Sequence, residues 1–290
     1  MSAYAPNRIT GTIVSSGQRR EYLLYVPPSY DRAKPAPLVI SLHPAALWPA
    51  VQQAASGWNA LADSQGFIVV YPSGTTLSGS GSGALPFRVW LMEPDARLQA
   101  DVRFISQLID TLEAHYNIDP ARVYASGLSN GGGMVFGLSC TLSQRIAAVG
   151  AVSAAQILPS SWCRDTNPVP MIAFHGTGDH FVPYHGAPPG WLNPRPFPDV
   201  VTWSADWARR NRCGPTPVDS VVAADVTRRE YAHCAGNAAV VLYTIAGGGH
   251  AWPGGKPLPA WLVGPTSRSI NATRVMWAFF QEHPLRKHRS

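Results

Sequence analysis

Gly127-Leu128-Ser129-Asn130-Gly131 fits the pattern G-x-S-x-G. The β-rich run Val123-Tyr124-Ala125 precedes it, and the helix-compatible Gly132-Gly133-Met134-Val135-Phe136 follows. A serine at a sharp strand-to-helix turn projects its hydroxyl out of the sheet, and flanking glycines relieve the crowding there. The amino end of the helix also directs partial positive charge and free N–H groups at the spot, which suits a developing oxyanion. The competing reading is a plain Gly/Ser turn, because such pentapeptides also arise by chance.

A serine hydroxyl is a poor nucleophile at neutral pH and needs a base, which in turn needs an orienting carboxylate. Both follow in chain order. Met171-Ile172-Ala173-Phe174-His175 reads as a strand and leads into Gly176-Thr177-Gly178-Asp179. Val241-Leu242-Tyr243-Thr244-Ile245 reads as another and leads into Gly247-Gly248-Gly249-His250. The three glycines serve no packing purpose evident in the sequence, but they would let the backbone bring His250 to Ser129. Asp101, Asp110 and Asp119 precede the serine or sit on helical faces, where solvated or capping roles are expected. His175, His180 and His185 recur every fifth residue, a spacing that suits neither a helix face nor a strand face. No metal site is expected there, and His175 is expected to pack at its strand end. The residues thus spell a serine triad of Ser129, Asp179 and His250, with no metal and no cofactor.

The elements that must position these groups alternate. Arg20 to Pro27 reads as a half-buried antiparallel strand, whereas Pro37 to His43 and Phe67 to Tyr71 are short apolar runs typical of strands buried on both faces. A helix is expected over Val51 to Asp63, and another over Arg97 to Tyr116, where Val102, Ile105, Leu108, Ile109 and Leu112 recur at helical spacing. A strand (Arg122 to Ser126), a helix from about Asn130, an apolar stretch (Ile146 to Ala154) and a strand (Pro170 to His175) follow. The remainder reads as a helix near Val200 to Arg210, strands near Thr227 to Tyr231 and Val240 to Ile245, and a helix from about Asn271 to Glu282. Strands alternating with helices imply an α/β fold, a mostly parallel sheet with helices on both faces, and the antiparallel pieces are expected near the N-terminus. One catalytic domain over residues 1–290 is expected, since no linker or repeat is visible. Ser73 to Pro86, rich in Gly, Ser and Thr, is expected to be part of a mobile insertion over about 73–98. Its Gly-Ser-Gly-Ser-Gly lacks both the G-x-G-x-x-G spacing and the P-loop lysine, which argues against nucleotide binding.

Composition narrows the class. Of 290 residues 46% are hydrophobic and only 14% charged, enough apolar surface for one large core. No apolar run approaches the roughly 20 residues of a membrane-spanning helix. The formal charge of +6 comes mostly from scattered arginines, with Arg286, Lys287 and Arg289 in a tail (285–290) expected to fray. No basic stripe interleaves with aromatics, so nucleic acid is not an expected partner. Cys140, Cys163, Cys213 and Cys234 show neither C-x-x-C nor zinc spacing. Four cysteines allow three pairings. The sequence-local one closes two loops of about 20 residues, each worth roughly 3 kcal/mol in chain entropy, and the alternative is four buried thiols. Disulfides favour a secreted or periplasmic location, and no leader is visible ahead of the first strand pattern.

Three blocks, GLSNGGGM (Gly127 to Met134), HGTGDHFVPY (His175 to Tyr184) and GGGHAWPG (Gly247 to Gly254), resemble one esterase family. It contains poly(3-hydroxybutyrate) depolymerase-like proteins of the LpqC type and the feruloyl and acetylxylan esterases of carbohydrate esterase family 1. The similarity runs from about Ile9 to Pro284. It implies an α/β-hydrolase fold with Ser129 as nucleophile, Asp179 as acid and His250 as base. Trp207 to Cys213 and Cys234 also resemble members, which implies a Cys213–Cys234 bridge, and the same match implies Cys140–Cys163. Trp252, just after the base, is placed at the substrate cleft by the resemblance, with packing against a wall as the competing reading. Members usually carry His-Gly and a small residue where this chain has His43-Pro44-Ala45. Proline has no N–H, so the oxyanion donors are expected to be Ala45 and Asn130. Trp90 and His43 are further candidate substrate contacts, and Trp48 and Tyr184 further candidate cleft residues. The expected activity is feruloyl or acetylxylan ester hydrolysis, with short-chain polyester hydrolysis or acyl transfer as alternatives. The expected partner is a small or polymer-linked ester, and the expected state a monomer or weak homodimer.

Overall fold

Strands buried at every position need cover on both faces, and the sheet is built around four of them. The structure is a computed structural model that describes residues 7–77, 87–93, 95–155, 158, 162–163, 165, 167–190 and 195–286. The fully buried strands are β3 (Ala36–Leu42), β4 (Ile68–Pro72), β8 (Ala148–Val152) and β9 (Met171–Gly176). With β7 (Ile118–Leu128) and β12 (Val240–Ile245) they run parallel in the order β4-β3-β7-β8-β9-β12. Antiparallel strands extend both edges into one ten-stranded sheet. On one side lie β2 (Gln18–Tyr25) and β1 (Arg8–Ser15), and on the other β11 (Val226–Tyr231) and β10 (Val218–Ala223). The antiparallel pieces expected near the N-terminus are therefore half of the pattern.

Helices α1 (Pro49–Ser56), α2 (Trp58–Gln65), α3 (Ala96–His115), α4 (Asn130–Ser139), α5 (Val200–Arg210), α6 (Ala260–Val263) and α7 (Ala272–Glu282) complete the order. One core gathers Leu98, Ile105 and Leu108 of α3, Val135 and Phe136 of α4, and Trp203 and Trp207 of α5. The opposite core gathers Trp58 of α2 with Met276, Trp277 and Phe280 of α7. The single helix expected over Val51 to Asp63 is two. Gly57 adopts φ 68, a left-handed conformation that ends α1 and starts α2 at an angle.

Two strands lie within the segment expected to be an irregular insertion. β5 (Thr75–Leu77) pairs antiparallel with β6 (Phe87–Val89), while residues 78–86 lie outside the described ones. This ribbon is anchored by Asp101, whose carboxylate is fully buried rather than solvated or capping. It pairs with Arg20 at 2.7 Å and accepts from Thr75 Oγ1 and from the Leu91 N–H. The expected tail is also partly tied down, since the Leu285 N–H donates to Ala121 O, and residues 287–290 are not described. Both sequence-local disulfides form, Cys140 to Cys163 at the end of α4 and Cys213 to Cys234 after α5.

Candidate active site

Ser129 stands between β7 and α4 at φ 56, ψ −120, a left-handed conformation for a residue with a Cβ. Such strain costs about 1–3 kcal/mol and persists only where surroundings over-determine it. Here they do. The Ser129 N–H donates to Val152 O at 2.9 Å, and its carbonyl accepts from the Gly133 N–H at 2.8 Å. A Cβ on Gly127 would lie 2.3 Å from the Gly131 backbone, and one on Gly131 would lie 2.4 Å from Leu42 O. The tight turn therefore needs both glycines, and it presses α4 against the end of β3.

Asp179 lies just beyond β9, 4% exposed. Its Oδ1 accepts from the N–H groups of Phe181 and Val182, both at 2.9 Å, which leaves Oδ2 for His250 Nδ1 at 2.8 Å. Burial opposes the charge, yet the His250 bond, the nearby His175 and the Val182 N–H hold the carboxyl below its usual range. The His250 proton on Nδ1 leaves Nε2 as the acceptor, with no partner among the described residues. The glycines before His250 have a packing purpose after all. A Cβ on Gly249 would lie 2.2 Å from Val263 O, and one on Gly176 would lie 2.1 Å from Gly248 O. The loops that carry Asp179 and His250 can approach this closely only without side chains. The end of β8 lies against both turns: Val152 O takes the Ser129 N–H, and the next residue, Ser153, donates its hydroxyl to Ala251 O beside His250.

The turn after β3 holds the remaining donors. His43 is fully buried, and its Nε2 accepts from the Gly74 N–H at 2.9 Å, so its proton sits on Nδ1 and donates to Pro44 O at 2.8 Å. The His43 carbonyl accepts from Trp90 Nε1, and the Ala46 N–H donates to Arg88 O. Asn130 grips the same ribbon, its amide bonding both the N–H and the carbonyl of Trp90. The backbone N–H groups of Ala45 and Asn130 have no acceptor among the described residues. Pro44 supplies the carbonyl that closes the turn, so its missing N–H costs nothing there.

Burial pushes the His43 imidazole down to about 4, with the charges of Arg88 and Arg20 adding to the effect. The unfolded chain therefore binds the proton more readily, and stability is lost as pH falls from about 6.5 towards 4, at about 1.4 kcal/mol per unit. A His43→Gln variant cannot titrate here. Its urea midpoints at pH 7 and pH 4.5 are expected to differ less than those of wild type; an equal difference would exclude His43 as the acid-sensitive tie.

A cavity of about 200 Å³ opens at Ser129, lined by Ala45, Met92, Asn130, Gly133, Ala154, Ala155, Phe181, Val182 and Phe197. Phe181 also lies 5.1 Å from the His250 ring, centroid to centroid, so His250 and the cavity share a wall. The three expected substrate contacts are not in this lining. Trp252 is 2% exposed and donates to Thr273 Oγ1, so it packs against a wall. Trp90 and His43 are buried in the ties that shape the turn after β3. Tyr184 is buried against Thr244, and Trp48 lies exposed at the start of α1. Sequence reasoning missed Met92 and Phe197, which sit in segments without periodicity. Phe181, two residues after Asp179, was within reach of the same argument that found the acid. The spaced histidines diverge: His180 bonds Leu262 O, His185 faces Asp199, and His175 is buried.

A mostly parallel sheet with a serine on a strained strand-to-helix turn, and Asp and His beyond two later strands, is the α/β-hydrolase fold. Residues 20–159 match the family model described as Esterase PHB depolymerase. The chain belongs to the esterase family of poly(3-hydroxybutyrate) depolymerase-like and carbohydrate esterase family 1 proteins. It is 30% identical over 278 residues to a putative esterase of Nocardia uniformis subsp. tsuyamanensis, covering 89% of this chain and 78% of that protein. It is 31% identical over 246 residues to feruloyl esterase B of Piromyces equi, covering 82% of this chain but only 44% of that longer protein. Among solved structures, an acetyl xylan esterase from Aspergillus awamori superimposes with a TM-score of 0.64 at 15% identity, over 94% of this chain and 99% of that one.

Proposed function

We propose that this chain is a serine carboxylic-ester hydrolase working through an acyl-enzyme. One observation carries the reading: the strained Ser129 turn opens into an apolar cavity whose Phe181 wall packs on His250, itself bonded to Asp179. His250 Nε2 takes the Ser129 proton as Oγ attacks the ester carbonyl, and Asp179 stabilises the imidazolium that forms. The N–H groups of Ala45 and Asn130, without acceptors among the described residues, receive the oxyanion. The imidazolium then protonates the leaving alcohol. Water, deprotonated by His250, releases the acid and restores Ser129.

The cavity indicates the acyl group. A space of about 150 Å³ holds a benzene molecule, so about 200 Å³ seats the aromatic ring of an aryl acyl group and far exceeds what an acetyl group fills. We therefore favour a feruloyl-type ester, in line with the Piromyces relative. The apolar lining also suits short hydroxyalkanoate oligomers, in line with the family model's name. Two disulfides fit an oxidising compartment, hence a secreted or periplasmic protein. The test is a fluorophosphonate probe with peptide mapping, alongside methyl ferulate, acetylated xylan and 3-hydroxybutyrate oligomers. Labelling at Ser129 with methyl ferulate the best substrate is expected. An unlabelled Ser129 overturns the mechanism, and a preference for acetylated xylan overturns the acyl assignment.

A further inference from the structure

His175 closes β9 directly behind the acid. It is 1% exposed, with Nε2 2.8 Å from Val182 O and 3.5 Å from Asp179 Oδ2. Both neighbours of that nitrogen are acceptors, so it carries a proton. Burial pushes the imidazole below its ordinary range, against the raising influence of Asp179. The ring meets Tyr184 edge-on at 5.9 Å, and Tyr184 is in turn fixed by its hydroxyl bond to Thr244, the residue opposite His175 on β12. The imidazole therefore has little room to turn.

Consider what this does to the loop. Asp179 leaves the strand and returns through Phe181 and Val182, whose N–H groups hold Oδ1. The Val182 carbonyl is tied back to His175, so one imidazole closes the loop onto the strand it came from. The contact at 3.5 Å is too long for a strong hydrogen bond. The Nε2 proton goes to Val182 O, yet the positive N–H edge of the ring still lies beside Oδ2, the oxygen that accepts from His250 Nδ1, in a buried site where such a dipole is poorly screened. A carboxylate held by backbone on one oxygen can still swing the other. His175 opposes that swing.

We infer that His175 is a positioning residue for Asp179, closing the acid loop through Val182 O and keeping Oδ2 aimed at His250. The inference rests on the triad reading, and the charged and titratable groups facing His175 are Asp179, His250 and Tyr184.

The experiment is a double-mutant cycle on the full chain, using His175→Phe and Asp179→Asn with a soluble aryl ester. His175→Phe keeps the ring without its N–H and is expected to lower kcat about tenfold with KM within about twofold. His175→Gln returns an N–H and is expected to stay within about threefold of wild type. In the Asp179→Asn background, His175→Phe is expected to cost less than about twofold, because the group it serves is already impaired. An equal loss in both backgrounds, or no loss in wild type, overturns the inference while the triad stands. Full activity of Asp179→Asn alone overturns the triad, and the inference with it. If His175→Phe does not show cooperative urea unfolding, His175→Met takes its place in the cycle under the same criteria.

Discussion

Ser129→Ala is expected to lower kcat on methyl ferulate by about 10⁶-fold while leaving the fold intact, the largest activity loss of any single change. The magnitude follows from the chemistry being removed. Without Oγ there is no acyl-enzyme, and only binding and the donors at Ala45 and Asn130 remain to assist direct attack by water. The fold should not respond, because the Ser129 hydroxyl has no hydrogen-bond partner among the described residues and alanine meets the same positive φ at similar cost. An unfolding free energy from urea titration within about 0.5 kcal/mol of wild type is expected. Turnover above about 1% of wild type, after exclusion of contaminating esterase by the fluorophosphonate probe, would mean that the nucleophile lies elsewhere.

The parts of this site that sequence reading reached are those set by local rules. A β-rich run, G-x-S-x-G and a helix-compatible run describe one strand–turn–helix, and the glycines are those whose absent side chains the turn requires. Asp179 and His250 were found because each follows a buried apolar strand, β9 or β12, whose pattern is unambiguous. What was missed depends on partners distant in sequence. β10, Val218–Ala223, is exposed at nearly every position, so it has no buried face and no alternation to read. Asp101 continues the stripe of α3 at Leu98, Val102 and Ile105, a hint of burial that its charge obscured. Its partner Arg20 lies 81 residues away, and no local pattern connects them. The resemblance places Trp252 at the cleft, and Trp90 is a candidate only as an aromatic able to line one; neither lines the cavity. They are fully buried, their indole N–H groups bonded within the protein. The cavity is shaped instead by Met92, Phe181 and Phe197 from three separate loops.

That distant pair sets the largest expected effect on stability. Asp101→Ala should destabilise the protein by about 3–5 kcal/mol, since it leaves the Arg20 guanidinium buried without its countercharge. The Leu91 N–H loses its acceptor at the same time, and Thr75 loses its bond to the ribbon's anchor. Among the described residues Arg20 then keeps the Ser73 carbonyl and the face of Phe104, 4.1 Å from its Cζ, as partners. The damage should extend to activity in the molecules that remain folded. Leu91 adjoins Trp90, whose backbone holds Asn130 and whose indole holds the His43 carbonyl, so a slack ribbon loosens both turns proposed to hold the oxyanion. A fall in kcat with little change in KM is therefore expected beside the lower urea midpoint. Arg20→Met combined with Asp101→Leu removes both charges and should recover much of the stability, because a buried pair is often no better than apolar packing of similar volume. It should not recover kcat, since the Leu91 N–H still lacks an acceptor. If the single variant unfolds within about 1 kcal/mol of wild type, the ion pair is not the anchor of the ribbon. If the double variant regains full kcat, the ribbon is held by packing and the Leu91 bond is dispensable.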